Sequence, residues 1–249
     1  MITVKNIFDY LNQKYPINTA REFDNPGLLV GDGNQQVKKA LVCLDCDINA
    51  VNRAKEIDAN LIVTHHPVIF GGLKSVTAGS VVYELIKSGI SVISMHTNLD
   101  IAVGGVTERL CEAIGLKDVT PFIAHDGFTI RSATCNVTDG DIFAEHIKKV
   151  LGGSVRYVNS NKPIKRVLVC SGSGGDFLED VISENFDALI AGDIKHNVFI
   201  SAINSGVSVF DAGHYQSENI IVCPLCEELS KAFCEIEFVI FNNDTIKSV

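Results

Sequence analysis

Short apolar runs alternate along this chain with segments in which apolar residues recur every three to four positions. Runs such as 39–43 and 61–64 are rich in Val, Ile and Leu, which is typical of buried strands, whereas 48–57 and 177–184 have helical spacing. Strands that alternate with helices predict parallel pairing and a layered α/β fold. Further helices are predicted at 4–14, 79–87, 104–114, 141–151, 196–203 and 216–231.

The chain also contains a weak internal repeat. Three strand-like segments of the first half have counterparts in the second half, in the same order, which indicates a duplicated α/β layout. The segment 119–127 carries proline and glycine and is the predicted boundary between the two copies. The matching segments are 39–43 with 166–170, 58–63 with 187–191, and 88–92 with 205–209.

Composition and charge exclude several function classes. The 249 residues are 46% hydrophobic and 20% charged, with a formal net charge of −9 and no cluster of Lys and Arg that resembles a nucleic-acid-binding surface, which argues against non-specific nucleic-acid binding. No apolar run approaches the length of a membrane span. The N-terminal segment lacks the apolar core of a signal peptide, so a cytoplasmic location is predicted.

The eight cysteines allow two interpretations. Cys43 and Cys46 have the spacing of zinc ligands, as do Cys223 and Cys226. Most of the chain separates the two pairs, and neither pair lies in a segment rich in turn residues. Buried thiols are therefore the preferred interpretation over a structural zinc site.

Five of the seven histidines lie in four short stretches, each of which directly follows an apolar run. In open α/β proteins, ligands bind beyond the carboxyl ends of the strands. Histidines and carboxylates that recur at such positions predict a metal site. The stretches are Thr64–Pro67, His96–Asp100, Asp193–His196 and Asp211–Glu218.

The adjacent pair His65 and His66 suggests more than one metal ion. Neighbouring side chains of an extended segment point to opposite sides, so two rings in sequence suit two ions better than one. In two-metal hydrolytic sites the ions are about 3.5–4 Å apart, close enough to share one bridging carboxylate. Asp100 and Glu218 are the predicted bridging or terminal carboxylates.

His214 and Glu218 are four residues apart, and a helix that begins near Tyr215 would place both on the same side, one turn apart. An imidazole followed by a carboxylate at this spacing suits Zn²⁺, Mn²⁺, Fe²⁺, Co²⁺ or Ni²⁺, and the ligands do not select among these ions.

Four further residues have predicted roles around the metal ligands. His96 precedes Asp100 by four residues and is predicted to support a ligand or to act as a general base. Lys74, Lys195 and His196 are predicted to contact an anionic substrate.

Five motifs together resemble the family of GTP cyclohydrolase 1 type 2 homologues, also known as the NGG-interacting-factor-three-like family. The resemblance extends nearly from end to end, and the length is that of the compact form without an additional central domain. The motifs are Glu22–Gly31, Thr64–Pro67 with Lys74 and Ser75, His96–Asp100, Gly192–His196 and Gly213–Glu218.

The resemblance implies an α/β fold of two intertwined, duplicated lobes with layered α/β/α sheets. The expected lobes are 1–125 and 126–249, and the last part of the second, from about 207, brings its ligands to a shared site. The resemblance further implies a centre of two divalent metal ions per chain and a ring-shaped homohexamer. Position by position, the implied ligands are His65, His66, Asp100, His214 and Glu218.

The expected function is hydrolysis by a metal-activated water acting on a small anionic substrate. In a GTP cyclohydrolase the water would attack C8 of guanine and release formate, but no residue here is identified as recognising guanine and the chain has no P-loop. A phosphoesterase is a third candidate. A metal-binding scaffold or regulatory partner without turnover is the alternative of a different class.

Overall fold

The computed structural model describes residues 1–246 and divides them into two compact units. The first unit comprises Met1–Leu99 and Ile221–Thr245, and the second comprises Asp100–Ile220 with Ile246. The helices are α1 (Val4–Lys14), α2 (Ile48–Glu56), α3 (Val81–Ser88), α4 (Thr97–Ile101), α5 (Val106–Ala113), α6 (Gly140–Leu151), α7 (Leu178–Ser183), α8 (His196–Ser205), α9 (His214–Glu218) and α10 (Val222–Ala232). The strands are β1 (Gly27–Val30), β2 (Lys39–Cys43), β3 (Leu61–Thr64), β4 (Ser91–Ser94), β5 (Lys117–Ile123), β6 (Thr129–Val137), β7 (Arg156–Val158), β8 (Ile164–Ser173), β9 (Ala188–Gly192), β10 (Ser208–Asp211) and β11 (Glu237–Phe241).

The sheet of the first unit has the order β1-β4-β3-β2-β11. The four strands β4, β3, β2 and β11 are parallel, and β1 is antiparallel to β4. On one face Leu41, Ile62 and Val92 pack with residues of α2 and α3, including Val51 and Leu85. Strands β3 and β4 are buried along their whole length, as expected for parallel strands covered on both faces.

The sheet of the second unit has the order β5-β6-β8-β9-β10-β7, in which β8, β9 and β10 are parallel. Alternate residues of the strands enter two separate cores, because successive side chains of a strand point to opposite faces. One core contains Ile190 and Phe210 with residues of α5 and α6. The other contains Leu189 and Val209 with residues of α7 and α8. The unit is therefore a three-layered α/β/α structure, as predicted.

The predicted repeat is confirmed in the strand topology of each unit. Strands β2, β3 and β4 are neighbours in one sheet, and β8, β9 and β10 are neighbours in the same order in the other. The last strand of each set also has an antiparallel neighbour, β1 in the first unit and β7 in the second. The repeated Ser-Gly pair ends a helix in each unit: Gly89 and Gly206 cap α3 and α8 with φ of 64° in both cases, a conformation that favours glycine.

The division between the units differs from the expected boundary at residue 125. The segment 119–127 lies in the β5–β6 hairpin, in which β5 pairs antiparallel with β6. At the other end of the chain, β11 pairs in parallel with β2, so residues 221–245 belong to the first unit. Asp100, which was expected in the first lobe, is the first residue of the second unit.

The helix predicted at 216–231 is in fact three elements. Helix α9 is followed by a short 3₁₀ helix at Asn219–Ile221 and then by α10. Pro224 is the third residue of α10, where its missing N–H would have no partner within the helix. The proline therefore suits a helix that begins anew at Val222. No helix among residues 1–246 is both long and apolar enough to cross a membrane.

Candidate metal centre

Three histidines meet at the carboxyl edge of the sheet in the first unit. His65 and His66 directly follow β3, and His96 lies two residues after the end of the adjacent parallel strand β4. The ring centroid of His65 is 5.0 Å from that of His66 and 5.2 Å from that of His96. One potential ligand atom from each ring lies within 4.8 Å of the others, so this group is able to hold a metal ion.

The tautomer of His65 is set by the backbone. Its ring is completely buried, and Nδ1 lies 2.8 Å from the carbonyl oxygen of Met95. A carbonyl oxygen can only accept, so Nδ1 donates and Nε2 carries the lone pair. This is the arrangement that a metal-binding histidine requires.

Carboxylates set the other two rings of the group in the same way. Nδ1 of His66 donates to Asp45 Oδ1 at 2.7 Å, and Nδ1 of His96 donates to Asp24 Oδ1 at 2.7 Å. A carboxylate in this position orients the ring and makes Nε2 more basic. In all three histidines of the first unit, Nε2 is therefore the nitrogen that is able to bind a metal ion.

Asp24 holds more than the ring of His96. Its carboxylate also accepts hydrogen bonds from the Thr97 backbone N–H at 3.0 Å and from the Thr97 hydroxyl at 2.5 Å. Burial by itself would raise the pKa of Asp24, but the hydrogen bonds from His96 and Thr97 outweigh it and lower the pKa to about 2. Asp24 is therefore ionised at neutral pH, and its hydrogen bonds join the loop before β1 to the start of α4.

The second unit presents an imidazole and a carboxylate on one helical turn. His214 begins α9, and its Nε2 lies 3.0 Å from Glu218 Oε2. Nδ1 of His214 donates to Asp193 Oδ2 at 2.7 Å, which repeats the carboxylate–histidine arrangement of the first unit. The hydrogen bond to Glu218 is the main reason that the pKa of His214 is raised to about 9; burial opposes the shift and Asp193 adds to it.

Glu218 lies over a backbone position that only glycine can occupy. Gly172 in β8 has φ +59°, and a Cβ built there would lie 2.0 Å from Glu218 Oε1. Glu218 itself is only 3% exposed. The missing side chain at Gly172 therefore creates the space in which this buried carboxylate lies.

The Asp100 carboxylate is held within the second unit by hydroxyl groups. Asp100 Oδ1 accepts a hydrogen bond from Ser171 Oγ at 2.7 Å, and Ser171 Oγ lies 2.9 Å from Thr107 Oγ1. All three side chains are buried. The Ser171 hydroxyl thus orients the Asp100 carboxylate through one of its oxygen atoms, and an oriented carboxylate suits a metal ligand.

A second buried aspartate, Asp211, connects the two loops that carry the His214 pair. Its carboxylate accepts hydrogen bonds from the N–H of Ile194 at 3.2 Å and of Gly213 at 3.1 Å, and it pairs with Arg156. Ile194 follows Asp193, and Gly213 precedes His214. Asp211 thus positions both members of the Asp193–His214 pair through the neighbouring backbone.

The predicted substrate residues are exposed in each unit. Lys74 is exposed on the loop between β3 and α3 of the first unit, and Lys195 and His196 are exposed at the start of α8 in the second. Their roles stay predictions. His96 lies with His65 and His66, so its position suits a metal ligand as well as a general base.

Sequence reasoning assigned no role to several residues that hold the ligands. They share one signal that could have found them, because each lies within a few residues of the carboxyl end of a strand or inside a quoted motif. They are Asp24, Asp45, Ser171, Asp193 and Asp211.

The cysteine pairs do not join these groups. All eight cysteines are free thiols, and the sets of potential ligands found among residues 1–246 contain only His, Asp and Glu. Burial is the main reason that the pKa of Cys43 is well above its usual range and that of Cys46 is raised to about 12. These two are buried, unreactive thiols, as preferred from the sequence.

Comparison with known proteins places this arrangement in a family. The sequence model of Duf34/NIF3 (NGG1p interacting factor 3) matches residues 2–246. The chain belongs to this family. A GTP cyclohydrolase 1 type 2 homolog of Clostridium perfringens is 31% identical over 250 residues, which cover 95% of each chain. The Helicobacter pylori protein named GTP cyclohydrolase 1 type 2 is 33% identical over 223 residues, which cover 88% of each chain.

Solved structures share the fold. The crystal structure of Staphylococcus aureus protein SA1388 matches with a TM-score of 0.90 and 27% identity, over 100% of this chain and 99% of that one. Reduced HcgD from Methanocaldococcus jannaschii matches with a TM-score of 0.83 and 27% identity, over 96% and 97% of the two chains. The recognition of the family from its motifs is therefore confirmed, as is the α/β fold.

Proposed function

We propose that this family member is a metal-dependent hydrolase whose two donor sets together hold two divalent ions. The observation that carries the proposal is which ring nitrogen each predicted histidine ligand leaves for a metal ion. His65, His66 and His214 each have Nδ1 held by a carbonyl or carboxylate oxygen, which leaves Nε2 as the nitrogen that would bind a metal ion. At His214 the ion would take the place of the proton that Nε2 shares with Glu218. The carboxylate-held Nδ1 also occurs at His125, but His125 belongs to none of the groups of potential metal ligands among residues 1–246, so the arrangement supports the proposal together with this grouping.

The chemistry of the donors supports a borderline divalent ion. The first unit supplies imidazoles, and the second supplies one imidazole with the buried carboxylates of Asp100 and Glu218. Mixed nitrogen and oxygen donors suit Zn²⁺, Mn²⁺, Fe²⁺, Co²⁺ or Ni²⁺. The sharing of two ions between the sets rests on the implied ligands of the family.

Two such ions would lower the pKa of a bound water toward neutrality and stabilise a developing oxyanion. The chain's own part in the reaction is proton transfer and orientation. In the proposal, His96 accepts the proton of the attacking water at Nε2, while Asp24 holds the Nδ1 proton and stabilises the imidazolium that forms. Lys74, Lys195 and His196 contact the anionic part of the substrate.

The relatives named GTP cyclohydrolase 1 type 2 make GTP the first substrate to test. Attack of water on C8 of guanine would end in release of formate. The proposal further includes a homohexameric ring, as the family resemblance implies.

Turnover by the metal-loaded protein tests the proposal. Protein purified free of metal and reloaded with each of the five ions is assayed against GTP, phosphoesters and amides. We expect hydrolysis that requires added metal and is lost in His66→Ala, while circular dichroism shows an unchanged fold. A fully metallated protein that is inert on the whole panel would contradict the hydrolase and favour the metal-binding scaffold.

A further inference from the structure

Two exposed phenylalanines lie beside the three-histidine group of the first unit. Phe23 is 63% exposed and Phe70 is 61% exposed. Their ring centroids are 6.2 Å apart with an interplanar angle of 72°, and Phe70 lies 6.1 Å from the His96 ring at 87°. The two rings thus form an open, nearly right-angled aromatic corner next to His96.

The backbone on each side of this corner is fixed. Asp24, the neighbour of Phe23, is hydrogen-bonded to the backbone and hydroxyl of Thr97. The side chain of Asn25 donates to the carbonyl oxygen of Ile69, the neighbour of Phe70, at 2.8 Å. The loops that carry the two rings are therefore joined to each other and to the histidine group. Exposed rings on restrained loops are preorganised for a ligand.

The shape and charge of the corner indicate what it would bind. Aromatic rings prefer edge-to-face and offset-stacked contacts, and a corner of two rings offers both to a third planar ring. The Arg21 guanidinium lies over the Phe23 ring, 5.9 Å from its centroid, so a positive charge lies next to the corner. A planar ring that carries an anionic group would satisfy both features.

We propose that Phe23 and Phe70 form an aromatic subsite that binds the planar ring of the substrate, with the reacting group directed to the histidine donors. The inference rests on the proposed function, because it assumes that His65, His66 and His96 surround the reaction. It adds the substrate class, which is an aromatic or heteroaromatic compound with an acidic substituent.

Three hydroxamates distinguish binding to the aromatic subsite from binding to the metal ions. Acetohydroxamate reports only the metal, while benzohydroxamate and cyclohexanehydroxamate add six-membered rings that differ in planarity. Dissociation constants are measured by calorimetry on the Co²⁺-loaded protein and its metal-free form. We expect benzohydroxamate to bind about two- to tenfold more tightly than cyclohexanehydroxamate, which is the range that aromatic pairing supplies beyond buried area.

Substitutions test whether Phe23 and Phe70 cause the preference for the planar ring. Phe23→Leu and Phe70→Leu keep apolar side chains and remove the rings, so we expect the planar preference to disappear while acetohydroxamate binds as before. Phe70→Tyr should restore it. Ile86→Ala is a matched control, because Ile86 is 62% exposed on α3 of the same unit. It should leave all three constants unchanged.

The possible failures are distinguishable. Equal binding of the two ring compounds, with acetohydroxamate binding intact, would overturn the subsite and leave the metal site standing. Failure of acetohydroxamate to bind the Co²⁺-loaded protein would overturn the proposed function and this inference with it. If the leucine variants change the oligomeric state in light scattering but not the ring preference, the corner is a contact between copies of the chain, and the inference is wrong.

Discussion

Removing the carboxylate of Asp45 should weaken metal binding while the fold stays intact. Asp45 is not one of the predicted metal ligands, but its Oδ1 accepts a hydrogen bond from Nδ1 of His66 at 2.7 Å. In Asp45→Ala the ring loses both its orientation and the charge that makes Nε2 basic. Asp45→Asn should have a smaller effect, because the amide oxygen can still accept the hydrogen bond without supplying the charge.

The expected size of the effect follows from the geometry. Loss of a carboxylate that supports a metal-binding histidine typically reduces metal affinity by about 10- to 100-fold, which corresponds to about 1.4–2.7 kcal/mol. The side chain of Asp45 is 51% exposed, and exposed pairs of this kind contribute only about 0–1 kcal/mol to folding. The loss in metal affinity should therefore exceed any loss in the free energy of unfolding.

Competition with a chromophoric chelator measures the metal affinity, and urea denaturation of the metal-free protein measures stability. Asp9→Ala is the matched control, because this carboxylate is also 51% exposed but pairs with Lys5 on α1. We expect normal metal affinity in the control. The reasoning is refuted if Asp45→Ala binds metal within twofold of the wild type, or if its apparent loss is matched by an equal loss of stability.

Three further outcomes are expected. In Gly172→Ala the new Cβ would lie 2.0 Å from Glu218 Oε1, so metal content should fall by at least half, and normal content would contradict the role of this glycine. His96→Gln should keep its metal but lose most turnover if His96 is the base; loss of metal would make it a ligand instead. The hydrogen bond that His125 donates to Asp180 is the main reason that the pKa of His125 is raised, so its NMR titration midpoint should lie above the ordinary value and fall toward it in Asp180→Asn. Because the pKa of His125 is higher in the folded than in the unfolded state, the His125–Asp180 pair stabilises the fold fully below the unfolded-state pKa. This stabilisation is lost as the pH rises through the folded-state pKa. An identical dependence of stability on pH in the wild type and in Asp180→Asn would contradict the prediction.

The strands and the strand-end positions of the histidines could be predicted because both are local features of the sequence. Apolar runs with short periodic segments between them determine parallel α/β units, and polar residues after such runs lie at the carboxyl edge. The adjacent His65 and His66 were identified in this way. Strands β3 and β4 then bring His96 to the same edge.

The partners of the ligands could not be predicted, because strand register decides them. Cys43 of β2 is paired with Thr64 of β3, and this register brings Asp45 beside His66 two residues later. Nothing in either segment alone specifies that pairing. The boundary between the units was also out of reach, since the proline and glycine of 119–127 are equally typical of a hairpin with an edge strand.

Metal content per chain tests the central claim most directly. Protein produced in metal-sufficient medium is gel-filtered and analysed by inductively coupled plasma mass spectrometry, together with His65→Ala and Glu218→Ala, which remove one donor from each unit. Circular dichroism verifies that the variants are folded. The account predicts about two ions per wild-type chain and a marked loss in both variants. A wild-type value near zero, or variants that keep the full content, would contradict it.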